Sequence, residues 1–460
     1  MSIITFLMYV LPLSVMVGLY ASRKNKTKYI PILWVWTLMF VLNSYGLIYF
    51  ELSSVRTLPL NINKNEYFIG ATINWVFIVL WSVGYSATCL KNWKIGNKLR
   101  RKTAKSKYSW VGVKFFGFTI LISGVSTIIK YSLSIPYGAT VFNYQSIPFY
   151  RYFGILASLK SLFLPSVASY IILRPYFSNH LKSQSLISEK ILWILIIIRA
   201  FAGLTLDMQR GDVIYPVFVA LLVASRRGYL KNTFKLGFYS TVFGIMVLLV
   251  SPVIDQLRRP SLYNKDISTS NIAYAVENAY SDGETTPFSM NALFYEPYRK
   301  SILPSSTFAL KREADVDGFS YFSTYYTSLA SLIPRFMWKD KPQPLSIDGD
   351  RDTRPGRVAA KNLDMNNIIW YSGGGSMYWQ LGWLGVIAGG LIVGAMWGLL
   401  TSKFLMSRNY FPVLYYFLLI GWGLDYVRGL DETILNMARS ARILFLFWVA
   451  YILAKSAFNK

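Results

Sequence analysis

The stretches SLIPRFMWKDKP (331–342) and DGDRDTRPGR (348–357) are charge-dense and proline-broken. They lie inside a hydrophilic segment of about 120 residues, 255–378, with apolar sequence on both sides. The same segment holds Arg258-Arg259, an acidic and aromatic run at 277–284, and the triplet Gly373-Gly374-Gly375. That contrast predicts an all-α polytopic membrane protein with one large aqueous segment between late helices. It divides the chain into an N-terminal bundle at 1–254, the large loop at 255–378, and C-terminal spans at 379–460.

Hydrophobic residues make up 53% of the chain and charged residues 15%, a membrane-like balance. The net charge of +26 points first to nucleic acid. The basic residues instead cluster in short loops between apolar runs and form no basic domain, so they read as topology marks on cytoplasmic ends. The remaining surplus suits anionic lipid or an anionic substrate. Cys89 is the one cysteine, so no internal disulfide braces the long segment, and His180 is the one histidine, so no His/Cys metal site forms.

A span needs roughly 20 apolar residues. Runs at 3–21, 29–50, 67–90, 109–134, 152–173, 191–206, 213–225, 236–254, 379–402, 410–427 and 443–457 predict about eleven. The third is followed by 91–107, with eight Lys or Arg and no acid, a cytoplasmic loop by charge. Positive residues come after the first run rather than before it, which argues for an outward N-terminus, an inward C-terminus and no cleaved signal. Residues 255–378 then lie outside the cytoplasm and His180 inside. The ninth run carries Gly382, Gly385, Gly389, Gly390, Gly394 and Gly398, small residues that let helices approach closely in lipid.

Cations inside spans are costly and face a bundle interior or snorkel to the interface. Lys114 lies close enough to a cytoplasmic end to snorkel. Lys130, Lys160 and Arg199 fall in the outer halves of three consecutive spans, and Arg210 comes next in an outer turn, DMQRGD (207–212). These four either line an electropositive pocket or serve as separate interfacial anchors. A pocket on that side suits a polyprenyl pyrophosphate bearing a sugar chain. Arginine binds two phosphate oxygens at once, and cations on the leaving pyrophosphate stabilise charge that grows in the transition state.

The large outer segment, SLIPRFMWKDKP, GGGSMYWQLGWLGVIAGG (373–390) and TLDMQRGDVIYPVF (205–218) together resemble the Wzy-type O-antigen polymerases, over about 199–398. The resemblance implies a metal-independent glycosyltransferase of the GT-C class in the bacterial inner membrane, without a cofactor. Such an enzyme joins lipid-linked oligosaccharide units on the periplasmic side, with a Wzz-type chain-length co-polymerase as partner. Arg210 matches the family's Arg-Gly position, and Arg335 and Lys341 match its Pro-Arg and Lys-Pro positions, implying pyrophosphate or glycan contact. Met377 stands where many members carry Glu.

Candidate bases are Glu296, beside aromatics in FYEPYR, and Asp212, beside Arg210; Asp207 shares the second setting. Asp348, Asp350 and Asp352 alternate, but the interleaved arginines favour a solvated turn over a metal site. Each carboxylate also reads as surface charge or a salt-bridge partner. Tyr295, Tyr298, Tyr321, Tyr325, Tyr326 and Trp338 suit glycan contact or interface packing. A flippase for the same lipid-linked glycan, an O-antigen ligase and a membrane acyltransferase are the competing functions. The first commonly shows internal repeats, which this sequence lacks; the last two favour an external histidine.

Overall fold

The computed structural model describes residues 26–52, 58, 60, 62–100, 110–134, 150–177, 187–205, 210–228, 301–321, 325, 330, 333, 338, 347–348, 351–352, 355–363, 371–420, 426 and 428–458. The elements are helical, apart from one two-residue antiparallel pairing of Ile347–Asp348 with Arg351–Asp352. That pairing sets Ile347 opposite Asp352 and Asp348 opposite Arg351. Five helices are long and apolar enough to cross a membrane, within Ile30–Leu47, Lys64–Cys89, Gly112–Ile129, Gly373–Met406 and Leu430–Ala457.

The predicted count of eleven is met only in part. The runs at 3–21 and 236–254 lie outside the described residues. The sixth and seventh correspond to Glu189–Thr205 and Arg210–Arg226, 17 residues each, and the tenth to Tyr410–Ile420, 11 residues. Three boundaries also move. Arg210 and Asp212 are in the first turn of a helix rather than in a loop. The stretch after Arg428 is helical from Leu430. The glycine triplet opens a helix at Gly373 instead of ending a loop.

The chain divides into two compact units. The first comprises Met1–Arg101, Phe294–Met406 and Leu424–Arg439. It holds α1 (Ile30–Met39), a π-helical turn (Phe40–Ser44), α2 (Tyr45–Leu52), α3 (Lys64–Arg100), α8 (Leu303–Asp317), α9 (Pro355–Asn362), α10 (Gly373–Met406) and the start of α12 (Leu430–Phe458). Asn63 and Glu66 start α3 with a reciprocal capping box. The Glu66 N–H donates to Asn63 Oδ1 at 2.9 Å, and the Asn63 N–H to Glu66 Oε2 at 3.1 Å.

Helices α3 and α10 run parallel along a glycine stripe. A Cβ added at Gly390, Gly394 or Gly398 would meet the carbonyl oxygens of Phe77, Trp81 and Tyr85 at 2.8, 2.0 and 2.5 Å. The four-residue spacing on both helices keeps one face of each in register. From the long hydrophilic segment, α8 packs against α3 and α10, and α9 packs on α8. Ser301, Ser305, Ser306 and Thr307, at and before the start of α8, are fully buried.

The second unit comprises Lys102–Leu293, Ser407–Gly423 and Ser440–Lys460. It holds α4 (Trp110–Ser134), α5 (Tyr150–Leu173), α6 (Glu189–Thr205), α7 (Arg210–Arg226), α11 (Tyr410–Ile420) and the rest of α12. Rings from three helices interlock here. Phe116 stacks on Tyr410 at 3.6 Å, and Phe115, Phe411, Phe447 and Tyr451 surround that pair. Arg227 and Glu189 tie the end of α7 to the start of α6 at 3.0 Å. The apolar faces of α4 (Phe118, Leu121, Val125, Ile128) and α6 (Ile194, Ile197, Ile198) are exposed, as lipid-facing helix surfaces are.

Candidate functional site

The densest buried polar arrangement among the described residues lies in the first unit. It begins where the π-helical turn widens the backbone beside Asn43. Asn43 is fully buried and donates to the Ala71 carbonyl at 3.2 Å. Asn74, on α3, donates to Asn43 Oδ1 at 2.8 Å. Its own Oδ1 accepts from Thr307 at 2.9 Å and from Ser372. Tyr67, two turns earlier on α3, shares its hydroxyl with Ser301 at 2.6 Å. Spans and long segment are therefore joined by side-chain hydrogen bonds in an interior where leaving one unmade is expensive.

Ser372 is the N-cap of α10. Its Oγ accepts the Gly375 N–H at 2.9 Å, and its carbonyl accepts the Ser376 N–H at 3.0 Å. The glycines of the triplet press on three neighbours. A Cβ at Gly373 would fall 2.6 Å from the Arg428 backbone, at Gly374 3.1 Å from the Ile73 carbonyl oxygen, and at Gly375 3.1 Å from Thr307 Cα. The triplet serves close packing rather than loop flexibility.

Helix α10 then breaks. Leu381 (φ −145°, ψ 18°) and Gly382 (φ 61°, ψ −145°) leave the helical region, and only glycine takes the second conformation cheaply. The first part, 373–380, folds back on the helix beyond the break. A Cβ at Gly385 would lie 2.1 Å from the Met377 carbonyl oxygen, and one at Gly389 2.5 Å from Met377 Sδ. Ser320, just past α8, donates its N–H to the Trp379 carbonyl at 3.1 Å.

The start of α12 faces this fold-back. Asp431 is fully buried and Glu432 is 6% exposed. Glu432 accepts from Tyr371 and pairs with Arg428 at 2.5 Å. Asp431 Oδ1 lies 3.5 Å from Ser376 Oγ, which also accepts from Gln380 Nε2 at 3.2 Å. Burial, then the charges of Glu432 and Asp431, holds the Tyr371 hydroxyl well above the usual tyrosine range. Burial, then Asp431, does the same to Tyr325, whose hydroxyl reaches Met377 Sδ at 3.5 Å. Both phenols stay protonated and act as donors. Among the described residues no group of three or more His, Cys, Asp and Glu side chains is arranged to hold a metal ion.

The residues singled out by sequence are distributed differently. Arg199 is 8% exposed on α6, and Lys160 is half-buried on α5, both in the second unit. Lys130 is near the end of α4; Arg210 and Asp212 are in the first turn of α7. The side chains of these last three, together with Glu296, Arg335, Lys341 and His180, lie outside the described residues. Sequence reasoning passed over Asn43, Asn74, Ser376, Gln380, Asp431 and Glu432. Asn43 and Asn74 left a signal, as amides inside apolar runs; Asp431 and Glu432 lie between the runs at 410–427 and 443–457 and left none.

No family model matches the chain, and neither a curated protein nor a solved structure matches it.

Proposed function

We propose that this chain is a membrane glycosyltransferase that joins polyprenyl-pyrophosphate-linked oligosaccharide units into a longer glycan. One observation carries the proposal: α8, drawn from the long polar segment, is built into the packing of α3 and α10 through Tyr67, Asn74 and Thr307. An aqueous segment fastened to apolar helices suits a substrate whose lipid tail lies in the bilayer and whose glycan stands in water. An acceptor hydroxyl attacks the anomeric carbon of the donor, and lipid pyrophosphate leaves with the bonding electrons. Arg199, Arg210, Arg335, Lys130, Lys160 and Lys341 are the proposed pyrophosphate and glycan contacts. Glu296 and Asp212 are the proposed acceptors of the hydroxyl proton. The setting is the bacterial inner membrane, with the long segment periplasmic and a Wzz-type co-polymerase as partner.

Flipping of the same lipid-linked glycan is the second reading. The break in α10 beside buried polar side chains favours it, since interrupted helices line transporter sites.

The test is incubation of purified protein with a polyprenyl-pyrophosphate-linked repeat unit, with chelator and without nucleotide. A product ladder that Arg210→Ala and Arg335→Ala abolish supports polymerisation. Absence of a ladder, with movement of the lipid-linked glycan across a vesicle bilayer, replaces it with transport.

A further inference from the structure

We propose that residues 372–380 are a re-entrant segment submerged in the bilayer, and that the headgroup boundary on that side passes through Ile69, Tyr321 and Trp383. The inference is independent of which glycan reaction the protein carries out.

The boundary is read from two helices in register. Gly390, Gly394 and Gly398 of α10 lie against the carbonyls of Phe77, Trp81 and Tyr85 of α3. The helices therefore keep step, and Ile69 stands level with Gly382 and Leu90 with Lys403. From Leu384 to Ser402 the sequence holds no charge. The exposed side chains of that stretch, Leu384, Ile387, Ile392 and Leu399, are apolar and face acyl chains. Trp383 and Lys403, both exposed, stand at its two ends. The helix between them is about 30 Å long, the thickness of a hydrocarbon core. In α3 the stretch from Tyr67 to Leu90 is likewise free of charge, with Glu66 before it and Lys91 after it. Tryptophan settles at the headgroup boundary, and lysine reaches out to it.

The polar side chains lie below that boundary. Asn74 is more than one turn past Ile69, about 7 Å deeper along α3. Thr307 and Ser372 both bond to it, and a Cβ at Gly374 would meet the Ile73 carbonyl oxygen at 3.1 Å. The segment from Ser372 therefore starts inside the bilayer, climbs to Leu381–Gly382 at its surface and reverses. Met377 marks the return path, packed against Gly385 and Gly389 of the descending part. Reversal of the backbone at membrane depth is tolerated where protein covers it, and residues 372–380 are all buried. Past Thr307, α8 climbs to the boundary again. A Cβ at Gly382 would lie 3.0 Å from Phe319, and the Ser320 N–H reaches the Trp379 carbonyl. Arg312, Asp315, Val316, Asp317 and Tyr321 are exposed at that end, where charge and a phenol suit the headgroup layer.

The test uses the full chain reconstituted in phosphatidylcholine vesicles. Spin labels are placed singly on Val316→Cys, Leu384→Cys, Ile387→Cys, Ile392→Cys, Leu399→Cys and Lys403→Cys. Depth is read from collisions with oxygen against those with a water-soluble nickel chelate. Cys89 is fully buried and stays in place, with the parent chain giving its background. The expected depths are about 14 Å at Ile392, about 6 Å at Ile387 and Leu399, and near the surface at Val316 and Lys403. Leu384→Cys and Ile387→Cys report on the same stretch, so either one, folded, suffices there. A peak at Leu399 with Leu384 and Ile387 in water overturns the proposal, because the fold-back then stands outside the bilayer. A Val316 label as deep as that at Ile387 overturns it too, by moving the boundary beyond Tyr321.

Discussion

The two units pack their helices by different means. In the first, α3 and α10 meet backbone to backbone along Gly390, Gly394 and Gly398, and side-chain hydrogen bonds from Asn43, Asn74 and Ser372 fasten the neighbours. In the second, rings from α4, α11 and α12 separate the helices and fill the space between them. Close packing leaves no volume to yield and many polar groups to satisfy. Ring packing leaves soft contacts that re-form after small changes. The contrast teaches where polar chemistry concentrates: the polar site sits in the unit whose helices meet backbone to backbone.

The sharpest way to break the contrast is Gly394→Leu. Even a Cβ at that position lies 2.0 Å from the Trp81 carbonyl oxygen, and backbone cannot step aside. Loss of folded protein is expected, read as aggregation on gel filtration after detergent extraction. Phe116→Ala removes the central ring of the second unit and should cost about 3–5 kcal/mol, measured by chemical unfolding in detergent with the first unit's tryptophans as a separate probe.

Asn74→Leu should cost about 2–4 kcal/mol, because Thr307, Ser372 and Asn43 each lose a buried partner. The same melts would show it, and a cost below about 0.5 kcal/mol, under the usual worth of one hydrogen bond, would mean the amide network is decoration.

A pH scan sharpens the picture further. Tyr371 and Tyr325 have raised folded-state pKa values, so their contribution is fully present below the ordinary tyrosine value of about 10. Above that value the unfolded chain loses protons that the folded chain keeps, and stability falls by up to about 1.4 kcal/mol per pH unit for each group. Tyr371→Phe should flatten that alkaline slope.

The smallest effect belongs to Gly124→Ala in the second unit. There the new Cβ meets only the Phe163 ring, at 3.3 Å. A change within about 1 kcal/mol is expected, and a collapse like that of Gly394→Leu would erase the distinction between the units.

Much of the helical layout is legible in the sequence. The runs at 29–50, 67–90 and 109–134 correspond to helical stretches long and apolar enough to cross a membrane, and the glycine-rich run does close-pack. The bend at Leu381–Gly382 is not legible, because a glycine between bulky apolar residues serves close approach and chain reversal equally. Here the sequence reads YWQLGWLG, and only the neighbours decide. Nor is the burial of Asp431 and Glu432 legible. Charges between the runs at 410–427 and 443–457 look solvated by position; Tyr371 and Arg428 make the buried Glu432 tolerable, and neither partner is visible from spacing.

Composition and periodicity alone determined that this chain is helical and apolar, where most of its described helices run, and that a long polar segment interrupts them. These properties come from local chemistry: each backbone must close its own hydrogen bonds, and each apolar run must leave water. The tertiary structure decided which glycines touch which carbonyls, where α10 reverses, and that α8 belongs with the spans. It also decided that Asp431, two residues past Gly429, ends up sealed beside Ser376 and Gln380. Those outcomes depend on residues far apart in the chain meeting within a few ångströms, and no single stretch carries that information.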